Sequence, residues 1–299
     1  MEKVEKTILL GSSGQIGSNL KKKLLLISKK VKCLSKKELN LEKLKIIKKK
    51  LDILKPNLII NAAAYTKVDD AENNKKRCYK INVLSTKEIA NWSSKNNCLF
   101  VHYSTVYIFD GKNKKPWKEN ALPKPINYYG KSKLEAEKKI IKSKCNYLIL
   151  RLNWIYNEKG VNFPKKIINK IKKSNKIYLV NNQIGTPNDA EFIGNVTIKI
   201  IKKIIINKKN PKILNLSARG KTNYYDFAKK IYKKMKKKYK NCILLPLNSE
   251  DYKNMIGKRN ITKRPLNSVL DIKKLEKFIN VKMPSWEDIF KKKVNKILK

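Results

Sequence analysis

The chain has 299 residues, 41% of them hydrophobic, which is enough to bury the core of one large domain or two modest ones and excludes an intrinsically disordered chain. Lys and Arg number 72 against 23 Asp and Glu, a formal net charge of +49. The lysines run from Lys3 to Lys299 without forming a patch or tail, and no recognition motif accompanies them, so the charge reads as compositional drift toward Lys, Ile and Asn and excludes a dedicated nucleic-acid binder.

Five scattered cysteines, none in a C-x-x-C pair, argue against a disulfide framework or a zinc site. No apolar run approaches the ~20 residues of a membrane span, so no membrane partner is expected. Reduced thiols and the absence of a targeting segment give the expectation of a cytoplasmic protein.

Short apolar runs alternate with amphipathic stretches through the first half. Strands are expected at 7–10, 31–34, 58–61, 99–103 and 147–152, with helices at 16–26, 41–54, 71–96 and 129–143 between them. Near-continuous apolar strands separated by helices mean a parallel sheet covered on both faces. The second half is less regular, with helices expected at 162–174, 188–207, 224–239 and 284–298 and short strands at 177–180 and 213–216. The fold class expected is α/β, a Rossmann-type doubly wound parallel sheet with a smaller, discontinuous α+β substrate lobe. Residues 1–155 form the dinucleotide-binding domain, with returns near 186–216 and 262–270. Residues 156–299 contribute most of the lobe.

Gly11-Ser-Ser-Gly14-Gln15-Ile16-Gly17 lies between the first strand and the first helix. Glycines let such a turn adopt positive φ and let the backbone approach a pyrophosphate, while the helix N-terminus offers free N–H groups. Cofactor choice is read just past the second strand, where an acidic residue would bond the ribose of NAD. Ser35-Lys36-Lys37 stands there, so NADPH is expected over NADH. Asn61-Ala-Ala-Ala64 ends the third strand, with small side chains that leave room beside the sheet.

Tyr129-Gly-Lys-Ser-Lys133 places a tyrosine and a lysine one helical turn apart. A free tyrosine titrates near 10, and a neighbouring ammonium is expected to lower that value. Thr105, 24 residues earlier at the end of the fourth strand, sits where open α/β sheets bind ligands. Together the three residues suit carbonyl reduction: hydride from NADPH to carbon, a proton from Tyr129 to the developing alkoxide, and a hydrogen bond from Thr105. His102, within the fourth strand, reads as a core histidine.

Seven segments carry a resemblance: residues 9–17, 61–69, 102–111, 116–119, 128–133, 151–156 and 264–268. With these the chain resembles the extended short-chain dehydrogenase/reductase superfamily and, within it, the dTDP-4-dehydrorhamnose reductases. The resemblance implies reduction of the C4 ketone of dTDP-4-dehydro-L-rhamnose, with a dTDP-linked keto-sugar as substrate and a homodimer as a compatible assembly. It implies Thr105, Tyr129 and Lys133 as catalytic residues. Gly11, Gly14, Gln15, Ile16, Gly17, Lys36, Asn40, Leu41, Ala63, Ala64, Tyr65, Thr66, Tyr103 and Lys133 match cofactor positions, and Val68, Thr105, Val106 and Trp154 match positions beside the sugar. No protein metal ligands are assigned, although an interfacial Mg²⁺ is compatible with the family. Two departures stand out: Val106 replaces an Asp that touches the sugar, and Asn40 replaces an Asp near the adenine. A reductase or epimerase of another nucleotide sugar, or a non-catalytic relative, is the alternative these departures leave open.

Overall fold

Six parallel strands carry the molecule, the inner ones buried on both faces. The structure is a computed structural model that describes residues 2–257 and 262–298. In the first half, β1 (Val4–Leu10), α1 (Gln15–Leu20), β2 (Ser28–Leu34), α2 (Leu44–Leu54) and β3 (Leu58–Asn61) follow in turn. Then come α3 (Val68–Asn73), α4 (Lys75–Tyr79), α5 (Ser85–Lys95), β4 (Leu99–Thr105), α6 (Tyr128–Lys142) and β5 (Tyr147–Leu152). The second half holds β6 (Ile155–Tyr156), α7 (Phe163–Lys173), β7 (Lys176–Val180), β8 (Ile184–Gly185), β9 (Asn188–Asp189) and α8 (Ala190–Asn207). It ends with β10 (Ile213–Asn215), β11 (Thr222–Asn223), α9 (Tyr224–Met235), β12 (Ile243–Leu247), α10 (Ser249–Met255), α11 (Lys273–Ile279) and α12 (Trp286–Leu298).

The main sheet has the order β2-β1-β3-β4-β5-β10, with every pair parallel. Alternate side chains of the inner strands β3, β4 and β5 feed opposite layers, which is why these read as near-continuous apolar runs. Leu9, Ile60, Val101 and Leu150 pack under α1, α8 and α11. Ile8, Ile59, Phe100 and Ile149 pack under α2, α5 and α6. The strand order reverses between β1 and β3, and that reversal opens a crevice at their carboxyl ends. A separate core of Tyr156, Ile168, Phe227, Trp286 and Phe290 unites α7, α9 and α12, with β7 and β12 paired beside it. No helix of the described residues is long and apolar enough to cross a membrane.

Three expectations are corrected. The helix expected over 16–26 stops at Leu20, and the chain turns through three successive lysines into a short 3-10 turn, Leu24–Leu26. That turn buries Leu24 and leaves Leu25 and Leu26 exposed. The helix expected over 71–96 is broken at Asn74 and again by a π turn at Lys80–Leu84, which turns Asn82 inward. The last correction is that β12, α10 and α11 are all additional to the expected elements. α10 is short and polar, so hydrophobic periodicity gave no sign of it; Asn248 starts it by accepting from Glu250 and Asp251 N–H groups.

α6 is fastened to β5 by a buried ion pair. Arg151 donates Nε and Nη2 to Glu137 at 3.1 and 2.7 Å, and its Nη1 donates to the Glu119 carbonyl at 2.8 Å. Removing one partner of such a pair strands the other charge. Glu137→Gln should therefore cost about 3–5 kcal/mol of unfolding free energy in urea. The Arg151→Met/Glu137→Leu double variant should lose less than that single change.

Candidate active site

The crevice is lined on one side by the glycine turn. Gly11 has φ +73°, and a Cβ there would lie 2.7 Å from the Ala63 backbone nitrogen. A Cβ on Gly17 would lie 2.1 Å from the Gly11 carbonyl oxygen. The backbone of the turn thus runs against the end of β3 with no room for side chains. Gly14 is exposed at the start of α1, and no side chain caps that helix. Gln15 and Ile16 are half-buried. Gln15 Oε1 is buried without a hydrogen-bond partner among the described residues. An uncapped helix start, a glycine cradle and an orphaned acceptor are the features a bound dinucleotide would satisfy.

At the end of β2 the structure revises the reading of the Ser35-Lys36-Lys37 segment. A carboxylate does return there: Glu38 accepts from Ser35 N at 2.8 Å. Hydrogen bonds from Ser35, with Lys32 and Lys21 nearby, hold Glu38 below the usual carboxylate range. Lys36 is exposed and its Nζ lies 3.3 Å from Glu42, which also takes Arg77 at 2.9 Å. Arg77 is a cation at this corner that the sequence pattern did not single out. Asn40 is half-buried and accepts from Glu42 N, while Leu41 is buried in the core under α2.

The Ala63–Thr66 segment crosses the crevice. Ala63 and Ala64 are half-buried and Thr66 is exposed. Tyr65 is turned away: its hydroxyl bonds Asp70, and that bond pushes the phenol up to about 12. Its backbone is pinned by Asn82, which accepts from Tyr65 N at 2.7 Å and donates to Tyr65 O at 3.1 Å. The same amide nitrogen reaches Ser132 Oγ at 2.9 Å on α6. Asn82 therefore ties the crevice segment to the helix that carries the expected acid, and only the π turn brings it there.

α6 starts at a fixed point. Asn127 accepts from Gly130 N at 2.8 Å and donates to the Lys263 carbonyl at 3.0 Å. A Cβ on Gly130 would lie 2.1 Å from the Tyr107 carbonyl oxygen, so this turn rests directly on the loop after β4. Tyr129 is thereby held beside Thr105. Burial pushes the Tyr129 phenol well above its ordinary value; the neighbouring Thr105 hydroxyl offsets part of this. Thr105 is buried, and its Oγ1 also accepts from Tyr107 N at 3.2 Å.

Lys133 departs from expectation. Its Nζ does not lower the Tyr129 phenol; it is directed at the Tyr103 carbonyl at 2.6 Å and at His102 Nε2 at 2.8 Å. Lys133 is buried, the only lysine so enclosed among the described residues, and burial pushes it down to about 8. Tyr103 contributes that carbonyl, while its own hydroxyl pairs with Thr197 on α8 at 2.8 Å.

On the substrate side, Tyr129 packs edge-to-face with Tyr107 at 5.9 Å between ring centroids, and Tyr107 neighbours Tyr224. Tyr224 stacks on Trp154 at 4.1 Å. A continuous aromatic wall thus joins Tyr129 to Trp154. Trp154 has φ +34°, and Gly185 leaves space for its ring, since a Cβ there would lie 2.4 Å from it. Val68 is half-buried at the start of α3. Beside it, Asp69 accepts from Arg264 at 2.8 Å. Val106 corrects the expectation of a sugar contact: it is fully buried, packed with Ile108, Phe109, Trp117 and Leu270, and presents no surface to the crevice.

Among the described residues no three His, Cys, Asp or Glu converge. Glu158 and Glu191 do converge, but they close on the Lys293 ammonium.

A family model described as "RmlD substrate binding domain" matches residues 5–298. The dTDP-4-dehydrorhamnose reductase of Escherichia coli K12 is 32% identical over 243 residues, 81% of this chain and 80% of that protein. The crystal structure of the Bacillus anthracis dTDP-4-dehydrorhamnose reductase in complex with NADP superposes with TM-score 0.83 at 29% identity, covering 98% of each chain. The Clostridium acetobutylicum orthologue gives TM-score 0.85 at 28% identity, covering 97% of this chain and 98% of that one. With glycine turn, aromatic wall and Tyr-Lys helix all falling inside the matched region, this chain belongs to the dTDP-4-dehydrorhamnose reductase family.

Proposed function

We propose that the protein reduces the C4 ketone of dTDP-4-dehydro-L-rhamnose to the alcohol of dTDP-L-rhamnose, with NADPH as reductant. The observation that carries this reading is Tyr129, a phenol kept protonated by burial beside Thr105, at the carboxyl edge of a sheet whose crevice suits a dinucleotide. Gly11, Gly14, Gln15, Ile16 and Gly17 would hold the diphosphate. Lys36, Asn40 and Leu41 would lie at the adenosine, with Ala63, Ala64, Tyr65 and Thr66 alongside. Val68 and Trp154 would flank the sugar, where an aromatic face suits a deoxysugar's apolar side. Lys36, Lys37 and Arg77 favour NADPH; the Glu38 carboxylate is the one feature that favours NADH as a second donor.

The bound cofactor supplies a hydride to the carbonyl carbon. Tyr129 supplies the proton to the carbonyl oxygen as negative charge develops there, and Thr105 donates a hydrogen bond to the same oxygen. Lys133 fixes the crevice floor through Tyr103 and keeps a positive charge one turn from Tyr129. A phenol held above its ordinary pKa is a reservoir for a proton, which is what the reductive direction requires.

Tyr129→Phe should lower kcat/KM by about a hundredfold to ten-thousandfold, read as NADPH absorbance loss with dTDP-4-dehydro-L-rhamnose. Its NADPH affinity, read by fluorescence, should be unchanged. Turnover equal to wild type would refute the mechanism, and turnover only with another keto-sugar nucleotide would refute the substrate.

The pH profile follows from Lys133. Burial lowers its pKa from an ordinary 10.5 to about 8, so the ammonium is present below that pH and is lost as pH rises through it. The logarithm of kcat/KM, which reports groups of the free enzyme, should therefore fall on the alkaline side near pH 8. A limb at the pH of an ordinary lysine would show that Lys133 is not the group observed.

A further inference from the structure

His102 is the only histidine in the chain, and the reaction proposed above gives it no task. It is buried in β4, between Asn61 of β3 and Lys133 of α6. Nε2 lies 2.8 Å from Lys133 Nζ, and Nδ1 lies 3.4 Å from Asn61 Nδ2. The Asn61 amide is oriented by its other end, because Oδ1 accepts from Ala63 N at 3.1 Å. A nitrogen donor therefore faces Nδ1.

A neutral imidazole has one donor nitrogen and one acceptor. When Lys133 is an ammonium it donates to Nε2. The imidazole proton then sits on Nδ1, pointing at the Asn61 N–H. When Lys133 is an amine, Nε2–H donates to Nζ and Nδ1 accepts from Asn61. An imidazolium would set two cations 2.8 Å apart in a buried site, so the ring stays neutral. Two arrangements remain, and the charge of Lys133 selects between them.

We propose that His102 is the positioning residue for Lys133, and that its tautomer switches with the protonation of that lysine, Asn61 biasing the pair toward the amine. The titratable and charged groups around the pair do not offer a competing partner. Glu137 of α6 is taken up by Arg151 of β5. Cys78 of α4 bonds Ser132 Oγ, and the Tyr103 hydroxyl bonds Thr197 of α8. Tyr129, one turn back on α6, lies beside Thr105. The lysine thus gains a buried acceptor that lets it release and regain one proton near neutral pH without moving its side chain. The inference about geometry stands on the contacts alone; its effect on turnover rests on the reductase reading.

A lone histidine makes the test direct. The full chain, labelled with ¹⁵N at histidine, is titrated from about pH 5.5 to 9.5 without cofactor or substrate, and the two ring nitrogens are followed by NMR. The expected result is a ring that never becomes imidazolium and that exchanges the Nδ1–H form for the Nε2–H form around pH 8. That step should vanish in Lys133→Met. A titration at the ordinary histidine value near 6.5, a single tautomer throughout, or a step that survives Lys133→Met overturns the proposal.

Kinetics supply opposite signs. Asn61→Asp gives Nδ1–H an acceptor and should move the alkaline limb of kcat/KM up by about one pH unit. His102→Phe removes the acceptor from the ammonium and should move the limb down by about one unit, with His102→Gln restoring part of the shift. A purely structural role would lower the plateau and leave the limb in place. Absence of turnover with the dTDP sugar in the wild-type protein, alongside an intact tautomer step, would count against the substrate reading and leave the role of His102 standing.

Discussion

Everything at this site depends on enclosing one ammonium. Lysines cover the surface of this chain, yet Lys133 is taken out of water. A buried ammonium loses several kcal/mol of hydration unless its protons find acceptors. Lys133 finds the Tyr103 carbonyl and the His102 ring. The remaining deficit is visible as the fall in its pKa from 10.5 to about 8, roughly 3 kcal/mol of differential stability between its charge states. To place Lys133 there, β4 must end beside β3 and α6 must begin at a set height.

Those conditions are met by polar contacts that tie backbone to backbone. Asn127 starts α6, Gly130 lets it rest on the loop after β4, and Asn82 joins α6 to the Tyr65 segment. The Arg151–Glu137 pair then locks the far side of the helix to β5. Each of these residues acts on the site through geometry alone. A shift of α6 by a fraction of its pitch would break the Lys133 contacts and move Tyr129 from Thr105 together, because both residues ride on adjacent turns of the same helix.

Much of this was legible in the sequence. The glycine spacing, the alternation of strands and helices, and the Tyr129–Lys133 pair follow from local pattern, and the six-stranded sheet follows from them. Side-chain direction was not legible. The Tyr129–Lys133 spacing puts both groups on one helix face but does not say that Nζ turns to β4, since the acceptors belong to a strand some 30 residues away. Asn82 was hidden because a π turn shifts the inward face by a residue, which periodic reading takes as continuous helix. Glu38 was missed because a tight turn returned it to Ser35, three residues back. Val106 was misjudged by analogy: in this chain the position has been absorbed into an apolar cluster with Phe109 and Trp117, whose rings stack at 4.5 Å.

The Val106 environment bears on how the sugar is held. With that position enclosed, the proposed reading has Thr105 and Tyr129 facing the reacting carbonyl, while the aromatic wall from Tyr107 through Tyr224 to Trp154 would supply shape. Orientation of a bound sugar would then rest more on the fit of that wall than on hydrogen bonds to its hydroxyls. Hydrophobic fit discriminates weakly between sugars that differ by one hydroxyl, whereas a dedicated hydrogen bond discriminates strongly. On the proposed reading, packing at this position would leave the chemistry of ketone reduction to Tyr129 and Thr105 while relaxing the grip on which hydroxyls surround the ketone. On that reading proton delivery and sugar discrimination are separable, the first set by β4 and α6 and the second by the wall that Tyr107, Tyr224 and Trp154 form beside them.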